Sequence, residues 1–592
     1  MKILIIDGYV DEPSCLGVPP YISVYPRYIY GLLKSFNFSV DYKTIDELRI
    51  NGANIFEKFG HKKSFQSEIF FQPEKSFQND KIRPNQPSTL STDNGLDLKT
   101  YNYVIIIGGL SVPGKYLSSH PITLNEITSI LSYFKDAKFV LAGSLSRGWT
   151  IEGGKKPVAL DYSKFSLVTN DNYLKQIFEY FIGRSSQQKI NFDKESFAVI
   201  GAECVVSHHK YPNIICEIET YSGCLRSVKC SFCVEQFGTL KSSRNPENII
   251  NEIAELNKFG IVHFRIGNQP DIFGYGSSRE NYKPNPQIIE ELFYGIREKI
   301  TNISTLHTDN ANPAIISQYP EESKKVIKSL VKYCSGGNVL ALGCETFDKT
   351  VCAINNLNSF PEQSFDAIKI INEIGNVISE NGMPKLLPGI NLLFGLAGET
   401  GDTWKCNYDF LSKILDSNLL LRRINIRQAI KFDGSYISEI SSKPSPKLKY
   451  EFEQYKKMIR KDIDNEMLKK IAPVGRVLKN LFIEKKDKYL SFARQFGAYP
   501  IIVGTAENLE FEKFFDMIIV NHGYRSVTGL LYPVNINTIK YESLKTISGV
   551  NKDIANRIIY KRPFSDINDF FKNIPEHITP VFNSLTEHIT FN

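Results

Sequence analysis

The sequence lacks the features that mark membrane proteins and secreted disulfide-rich proteins. No stretch approaches the roughly 18 to 20 uninterrupted apolar residues of a membrane span, and the first residues resemble a buried strand rather than a signal peptide. Ten cysteines among 592 residues are too few for a disulfide scaffold. We therefore expect a cytoplasmic protein without a membrane partner, whose cysteines serve a metal or a cluster.

The residues that are present are typical of a large globular protein. The chain is 42% hydrophobic, 12% aromatic and 23% charged, and its length predicts about four folding units. The formal net charge is only +7, but residues 443–494 contain 15 Lys and Arg against 7 Asp and Glu. Such a basic block attracts phosphate backbones. The alternative is a solvated, lysine-rich helical face.

Residues 1–195 have the pattern of a Rossmann-like α/β domain. Three apolar runs bounded by turn residues predict buried parallel strands, and amphipathic stretches lie between or after them. The strands are Lys2–Gly8, Tyr103–Gly109 and Lys138–Gly143, and the helices lie near 26–34, 124–134 and 172–181. The polar residues 56–98 predict a long insertion in this domain.

Residues 205–440 predict a second α/β unit, a partial or complete (β/α) barrel. Six strand-like runs alternate with helices, and the site of such a fold lies at the carboxyl ends of its strands. The runs begin at Ile214, Val262, Ile303, Asn338, Leu386 and Arg422. Beyond the barrel we expect a basic helical linker at 441–490, a small β module at 491–537 and helices at 538–592.

A cysteine array follows the first strand of the predicted barrel. Cys224, Cys230 and Cys233 form a CxxxxxCxxC pattern, in which three thiolates can make one soft site. A structural zinc site has four protein ligands, and no fourth Cys or His stands at zinc-finger spacing. One iron of a cluster held by this trio would therefore remain open to a substrate or cofactor. The alternative is a set of buried or structural cysteines.

The array and its Phe-Cys ending resemble the radical S-adenosylmethionine (SAM) superfamily. In that family three cysteines bind a [4Fe-4S] cluster whose fourth iron chelates SAM, and an electron cleaves SAM to a 5′-deoxyadenosyl radical. The array is two residues longer than the usual CxxxCxxC. Residues 387–400 and 341–348 resemble strands of the family members related to methylthiotransferases.

The resemblance implies roles for residues at the strand ends. Cys224, Cys230 and Cys233 would hold the cluster, and Phe232 would pack beside the adenine of SAM. The other residues implied in SAM binding carry oxygens that can accept its amino group, or a guanidinium for its carboxylate. They are Asn268, Gln269, Asp271, Glu345, Glu399 and Arg427. A capping or loop-closing role is the alternative for each.

The amino-terminal α/β domain resembles the cobalamin-binding domain of one branch of the superfamily. That branch uses a His in the loop after the first strand as an axial ligand, and here the loop from Asp7 to Pro20 contains no His. Gly-rich strand ends permit close approach of a planar cofactor. We favour a degenerate domain without a cofactor, and cobalamin is the alternative.

The carboxyl-terminal segment resembles two nucleic-acid-binding modules. Residues 544–558 are similar to a helix-hairpin-helix, whose backbone N–H groups bind phosphate oxygens, and Asn551 is expected to replace its second Gly in a left-handed conformation. Residues 515–529 resemble an OB-type or TRAM-like fold with a stacking surface. The residues implied in nucleic-acid binding are Gly549, Asn551, Lys552, Arg557, Tyr524 and Arg525. A helical pair used only for packing is the alternative.

Over nearly its whole length the chain resembles archaeal radical SAM proteins that carry a carboxyl-terminal helix-hairpin-helix. The resemblance implies a radical SAM enzyme that receives electrons from a reductant protein, but it does not name the substrate. The radical SAM core is joined to a basic linker, a barrel-like module and a hairpin that can bind phosphate, and this combination predicts a nucleic-acid substrate such as tRNA. Cys15 is the only cysteine in the Rossmann-like domain, residues 1–195. A second, sulfur-donating cluster is therefore not expected there. Two alternatives are the same enzyme acting on a small molecule or protein, with the carboxyl-terminal modules as scaffold, and a non-enzymatic metal-binding or nucleic-acid-binding protein.

Overall fold

The computed structural model describes most of the chain, with gaps in loops. The described residues are 1–10, 21–51, 53–56, 101–110, 119–150, 153–183, 191–233, 242–278, 280–432, 435–437 and 446–592. Except for Phe56, the predicted insertion at 56–98 lies outside them, as does Cys15. No helix in these ranges is long and apolar enough to cross a membrane.

The first unit is built on a five-stranded parallel sheet. In sheet order its strands are Ser39–Thr44, Lys2–Asp7, Tyr103–Ile107, Lys138–Ala142 and Leu167–Val168. This is the 2-1-3-4-5 order of doubly wound folds. Side chains alternate between two separate cores, with Ile5 on one face and Leu4 on the other. The three predicted strands are confirmed.

Helices cover both faces of this sheet. The strands Ser39–Thr44 and Leu167–Val168 were not predicted. The first alternates apolar with polar residues, and the second has only two residues. The helices of the unit are Val24–Ser35, Ile45–Asn51, Ala53–Phe56, Leu124–Tyr133, Tyr173–Phe178 and Lys194–Ile200.

The glycines at the carboxyl ends of these strands pack against protein atoms. A Cβ on Gly143 would lie 2.4 Å from the carbonyl oxygen of Gly108, and one on Gly8 would lie 2.4 Å from Ile122. The close packing of the strand-end loops is therefore enough to explain both glycines, whether or not a cofactor binds there. The expectation of a domain without a cofactor stays a prediction, with cobalamin as its alternative.

The second unit, the central barrel, contains all six predicted strands, each parallel to its neighbours. They are Ile215–Glu219, His263–Gly267, Thr305–Thr308, Asn338–Glu345, Leu386–Phe394 and Arg423–Gln428. Asn338 joins the third strand to the fourth, because its Oδ1 accepts the N–H of Thr308 at 2.9 Å. In the described residues the last strand pairs with the fifth but not with the first, which pairs instead with the short strand Tyr21–Ile22, so the barrel is partial.

Helices follow the strands of the central barrel on its outside. Several begin with proline, whose fixed φ and missing N–H suit the first helical position. The helices are Pro246–Lys258, Pro286–Lys299, Pro313–Gln318, Pro320–Tyr333, Lys349–Ile354, Pro361–Gly375 and Gly401–Asp416.

A buried ionic network joins the first unit to the central barrel. Arg27, on the helix Val24–Ser35, donates to Glu252 at 2.5 Å, and Arg244 donates to the second oxygen of Glu252 at 2.6 Å. The side chains of Arg27 and Glu252 are fully buried. Arg244 also pairs with Glu195 at 2.6 Å. Because the two units share these charges and one continuous apolar core, they form one packed body.

A closed five-stranded barrel follows, the small barrel. Its strands are Val477–Asp487, Leu490–Arg494, Val503–Thr505, Phe514–His522 and Val527–Leu531. The predicted boundary at 490/491 was wrong, since the first strand lies inside the predicted linker. The strand does not alternate strictly between apolar and polar residues, because Leu481, Phe482 and Ile483 are consecutive and all buried. With the lysines around them, this segment resembled a charged helix in the sequence. The helical part of the linker consists of Pro446–Ile459, a π-helical turn at Arg460–Asp464, and Asn465–Ile471.

The small barrel closes the amino-terminal end of the central barrel. The ring of Phe496 stacks on His263 with ring centres 4.2 Å apart. The N–H of Ala498 donates to Nδ1 of His307 at 3.0 Å, so Nε2 carries the proton and faces the carbonyl oxygen of Gly336 at 3.3 Å. Burial lowers the pKa of His307 to about 4. The floor of the central barrel thus depends on a neutral histidine.

We expect mild acid to weaken this floor. In the unfolded chain the pKa of His307 is about 6.5, so the unfolded state binds the proton first as the pH falls, and stability declines between pH 6.5 and 4. Between pH 7 and pH 5 this histidine contributes a loss of about 2 kcal/mol. Denaturant unfolding of wild type and His307→Gln at both pH values measures it. The variant should lose less stability than the wild type, and an equal loss would contradict the assignment.

Short helices complete the chain and share a separate apolar core with the outer face of the small barrel. They are Tyr541–Leu544, Lys552–Tyr560, Ile567–Lys572 and Thr579–Asn583. A two-stranded pairing of Val534–Asn535 with Ile589–Thr590 holds the carboxyl terminus against the segment that follows the small barrel.

Candidate functional site at the mouth of the central barrel

The cysteine loop lies across the carboxyl-terminal mouth of the central barrel. Ser231 fixes it, because its N–H donates to the carbonyl oxygen of Asn355 at 3.0 Å and its hydroxyl donates to Oδ1 of Asn355 at 2.6 Å. Asn355 in turn donates to the carbonyl oxygen of Ala397 at 2.8 Å. The loop after the first strand is thus fastened to the loops after the fourth and fifth strands.

The three predicted ligand cysteines are partly exposed in this loop. Cys224, Cys230 and Cys233 are not in disulfides, and the N–H of Cys233 donates to the carbonyl oxygen of Cys230 at 3.1 Å, which makes a tight turn. Burial raises the pKa of the Cys230 thiol to about 11. Arg226 opposes this shift, since its Nη1 lies 3.1 Å from Sγ of Cys230.

The cysteine loop offers three thiols as soft ligands. Among the described residues no group of three or more His, Cys, Asp or Glu side chains is arranged to hold a single metal ion. Iron–sulfur clusters are held by cysteine thiolates. Three soft thiols beside an arginine can hold such a cluster at the mouth of the barrel.

Phe232 points away from the solvent into an apolar group at the mouth. Together with Cys230 it packs against an apolar cluster that includes Val351, on the helix after the fourth strand, and Leu396 and Ala429, which follow the fifth and sixth strands. The ring therefore lies on the far side of the mouth from its own strand. This position is compatible with the predicted contact with an adenine ring.

Glu345 ends the fourth strand and Arg427 lies on the last strand of the central barrel. Burial raises the pKa of Glu345 to about 8, and the charge of Arg427 opposes the shift. The charge of Glu345 also acts on Cys230. Glu345 has φ +63°, which is unusual for a residue with a side chain and marks a constrained position. These two residues remain candidates for contacts with a bound ligand.

Asn268 and Gln269 make contacts within the protein at the second strand end. Asn268 has φ +56° and donates to Glu219 at 3.1 Å. Gln269 is fully buried; its amide donates to the carbonyl oxygen of Ile266 at 3.1 Å and accepts from Thr220 at 3.3 Å. Asn268 lies at the surface of the mouth, whereas Gln269 supports the loop from below.

The carboxylates of Asp271 and Glu399 accept hydrogen bonds from within the protein. Oδ1 of Asp271 accepts the N–H groups of Phe273 and Asn312, each at 3.0 Å. Glu399 accepts the N–H groups of Gly395 and Leu396 and the indole N–H of Trp404. These contacts match the capping and loop-closing alternative for both residues.

The interior of the central barrel is polar, which the sequence analysis missed. Arg265 pairs with Asp309 and with Glu217, which lies 3.5 Å away. Tyr499, from the small barrel, donates to Asp309 at 3.3 Å. On the last strand, Asn425 contacts Asn391 at 3.2 Å. The run R-I-N-I-R at the start of the last strand alternates polar with apolar residues. This alternation could have indicated a polar interior, because one face of a barrel strand must point inward.

The predicted hairpin residues occupy a helix start. Gly549 has φ +79°, as a hairpin glycine requires. Asn551 was predicted to be left-handed, and this was wrong: it is extended, with φ −87°, and its side chain accepts the N–H of Ile554 at 3.0 Å. It therefore caps the helix and occupies an N–H group that would otherwise be available to phosphate. Lys552 and Arg557 are exposed on this helix.

Tyr524 and Arg525 lie where the small barrel meets the linker helices. The Tyr524 hydroxyl donates to the carbonyl oxygen of Lys457 at 3.0 Å. Nε of Arg525 lies 3.7 Å from Asp464, and its side chain is 49% exposed. Tyr524 thus has a structural contact, while Arg525 keeps much of its guanidinium open to solvent.

Two proteins of similar length are close relatives of the chain. The chain is 41% identical over 547 residues to an uncharacterized protein of Methanocaldococcus jannaschii. This match covers 89% of this chain and 93% of that protein. The chain is 37% identical over 567 residues to an uncharacterized protein of Archaeoglobus fulgidus, with coverage of 95% and 96%. No family model matches the chain.

Solved structures resemble the chain only distantly. The radical SAM methyltransferase TsrM from Kitasatospora setae has a TM-score of 0.45 and 12% identity, with 74% of this chain and 75% of that chain covered. The cobalamin-dependent radical SAM enzyme OxsB has a TM-score of 0.41 and 11% identity, with coverage of 77% and 56%. These values are too low to assign an activity.

Proposed function

This protein belongs to the same family as the uncharacterized proteins of Methanocaldococcus jannaschii and Archaeoglobus fulgidus, and we propose that it is a radical SAM enzyme that modifies a nucleic acid. The observation that carries the proposal is the cysteine loop. It holds three thiols and Arg226 over the mouth of a partial (β/α) barrel, where such folds hold their sites, and the charge of Glu345 at the end of the fourth strand acts on Cys230.

The residues at this mouth have different proposed roles. Cys224, Cys230 and Cys233 would hold a [4Fe-4S] cluster, which with SAM supplies a 5′-deoxyadenosyl radical. Arg226 lies against Cys230, where its charge favours the thiolate form that binds metal. Glu345 and Arg427 offer an acceptor and a donor for the amino acid end of SAM.

The nucleic-acid substrate is supported by what surrounds the central barrel. A small closed barrel, basic linker helices and a glycine hairpin all lie after it in the chain. Closed five-stranded barrels are common scaffolds for oligonucleotide binding. An electron-donating protein partner and a cytoplasmic location stay predictions.

Two measurements on the anaerobically reconstituted protein test the proposal separately. With dithionite and SAM, we expect the full chain to release 5′-deoxyadenosine; no release would contradict the radical SAM assignment. With bulk tRNA at low salt, where phosphate contacts are strongest, we expect retention in a gel shift. Release of 5′-deoxyadenosine without retention of tRNA would favour a small-molecule or protein substrate.

A further inference from the structure

Four arginines gather at the open edge of the central barrel, and we call them the arginine cluster: Arg422, Arg423, Arg460 and Arg525. They come from three parts of the chain. Arg423 begins the last strand of the central barrel and Arg422 directly precedes it, Arg460 lies in the π-helical turn of the linker, and Arg525 lies in a turn of the small barrel.

Only one carboxylate pairs with the cluster in the part of the chain that the structure describes. Asp464 lies 2.5 Å from Arg460 and 3.7 Å from Arg525. Arg422 donates to the carbonyl oxygen of Tyr499, but its Nε is buried and has no hydrogen-bond partner. Arg423 lies over the ring of Tyr499 at 4.1 Å and forms no ion pair. The cluster therefore carries a surplus of positive charge.

Three arginines that are buried elsewhere in the described residues are neutralised. Arg27 and Arg244 share Glu252, and Arg265 is held by Asp309 and Glu217. In the cluster, burial lowers the pKa of Arg423 to about 9, and the charges of Arg427, Arg525 and Arg460 lower it further. Unpaired, mutually repelling guanidinium groups destabilise a fold unless an anion joins them.

The position of the cluster connects the surface to the interior of the barrel. Arg423 shares the inward face of its strand with Asn425 and Arg427, and its stacking partner Tyr499 is buried beside Val339. Arg525 is half exposed. Between them Arg460 donates to the carbonyl oxygen of Ile424 on the unpaired edge of the strand. Guanidinium groups thus extend from solvent to the barrel interior.

We propose that the arginine cluster binds backbone phosphate of the nucleic-acid substrate and holds it at the edge of the central barrel, an inference that rests on the proposed function. Arginine is suited to this task because its planar fork donates two hydrogen bonds to a phosphate. Bound phosphate would relieve the repulsion among the four charges.

The test compares tRNA binding by the full-length wild type, Arg525→Gln and Arg423→Gln, with Arg147→Gln as the control. Arg147 pairs with Asp171 in the first unit, far along the chain from the cluster. We expect about tenfold weaker binding of bulk tRNA by each cluster variant at 0.1 M salt, and a salt dependence reduced by about one counterion. The control should bind as the wild type does.

A melting curve of each variant separates binding from folding. Asp464 keeps its 2.5 Å contact with Arg460 when Arg525 is removed, so the Arg525→Gln protein should melt no lower than the wild type. Weaker tRNA binding without a lower melting temperature supports the proposal. Unchanged affinity in both cluster variants would overturn it while leaving the proposed function intact. A wild type that binds no tRNA would overturn it together with the nucleic-acid part of that function.

Discussion

Replacing Cys224 with alanine is expected to reduce the formation of 5′-deoxyadenosine about a hundredfold or more. Loss of a partner that merely orients a metal ligand costs about 10- to 100-fold, and loss of a ligand from a three-thiol site costs more. Cys230→Ala and Cys233→Ala should behave alike, because each thiolate would bind its own iron. Iron content, visible absorbance and 5′-deoxyadenosine after anaerobic reconstitution measure the effect.

Two other cysteines supply the controls for this prediction. Cys406 is exposed on a helix outside the barrel, and Cys352 is buried near the mouth with its thiol 3.5 Å from the carbonyl oxygen of Thr346. Alanine at either position should leave the iron content and the turnover near wild type. If Cys224→Ala kept its turnover, or if Cys352→Ala lost its iron, the assignment of the ligands would be wrong.

Removing the carboxylate of Glu252 is expected to cost about 3 to 5 kcal/mol of unfolding free energy. Glu252 is fully buried and neutralises both Arg27 and Arg244, so Glu252→Ala leaves buried Arg27 without a carboxylate and buried Arg244 with Glu195 alone. Its pKa lies below the ordinary value despite burial, because both arginines stabilise the charged form. Denaturant unfolding at pH 7 measures the loss.

The same helix provides the matched control. Glu255 pairs with Lys258 at 2.6 Å, but the lysine side chain is 71% exposed. Exposed ion pairs contribute about 0 to 1 kcal/mol, so Glu255→Ala should change stability little. Similar losses in the two variants would mean that helix propensity, rather than the buried network, explains the effect.

The sequence predicted those parts of the fold that depend on local pattern. Six strand-like runs alternate with helical patterns in residues 205–440, and all six strands of the central barrel lie where this pattern placed them. The first unit was predicted from three such runs. The strand Val477–Asp487 was missed because its lysines, exposed on one side of a small barrel, produce the charge density of a solvated helix.

The site was predicted less completely, because its geometry depends on contacts between distant segments. The cysteine spacing predicts the ligands, but nothing local indicates that Asn355 fastens the loop across the barrel. Asp271 and Glu399 satisfy backbone N–H groups of their own loops, and a residue type cannot distinguish this role from ligand binding. The arginine cluster unites residues about 100 positions apart.

The central claim is that three thiols hold a four-iron cluster with one iron open to SAM. The electron paramagnetic resonance spectrum of the reduced, reconstituted protein, recorded with and without SAM, tests this claim most directly. We expect the signal of a [4Fe-4S] cluster whose g values shift when SAM is added, because SAM becomes a ligand of the open iron. A four-iron signal unchanged by SAM, or no four-iron signal at all, would contradict the account.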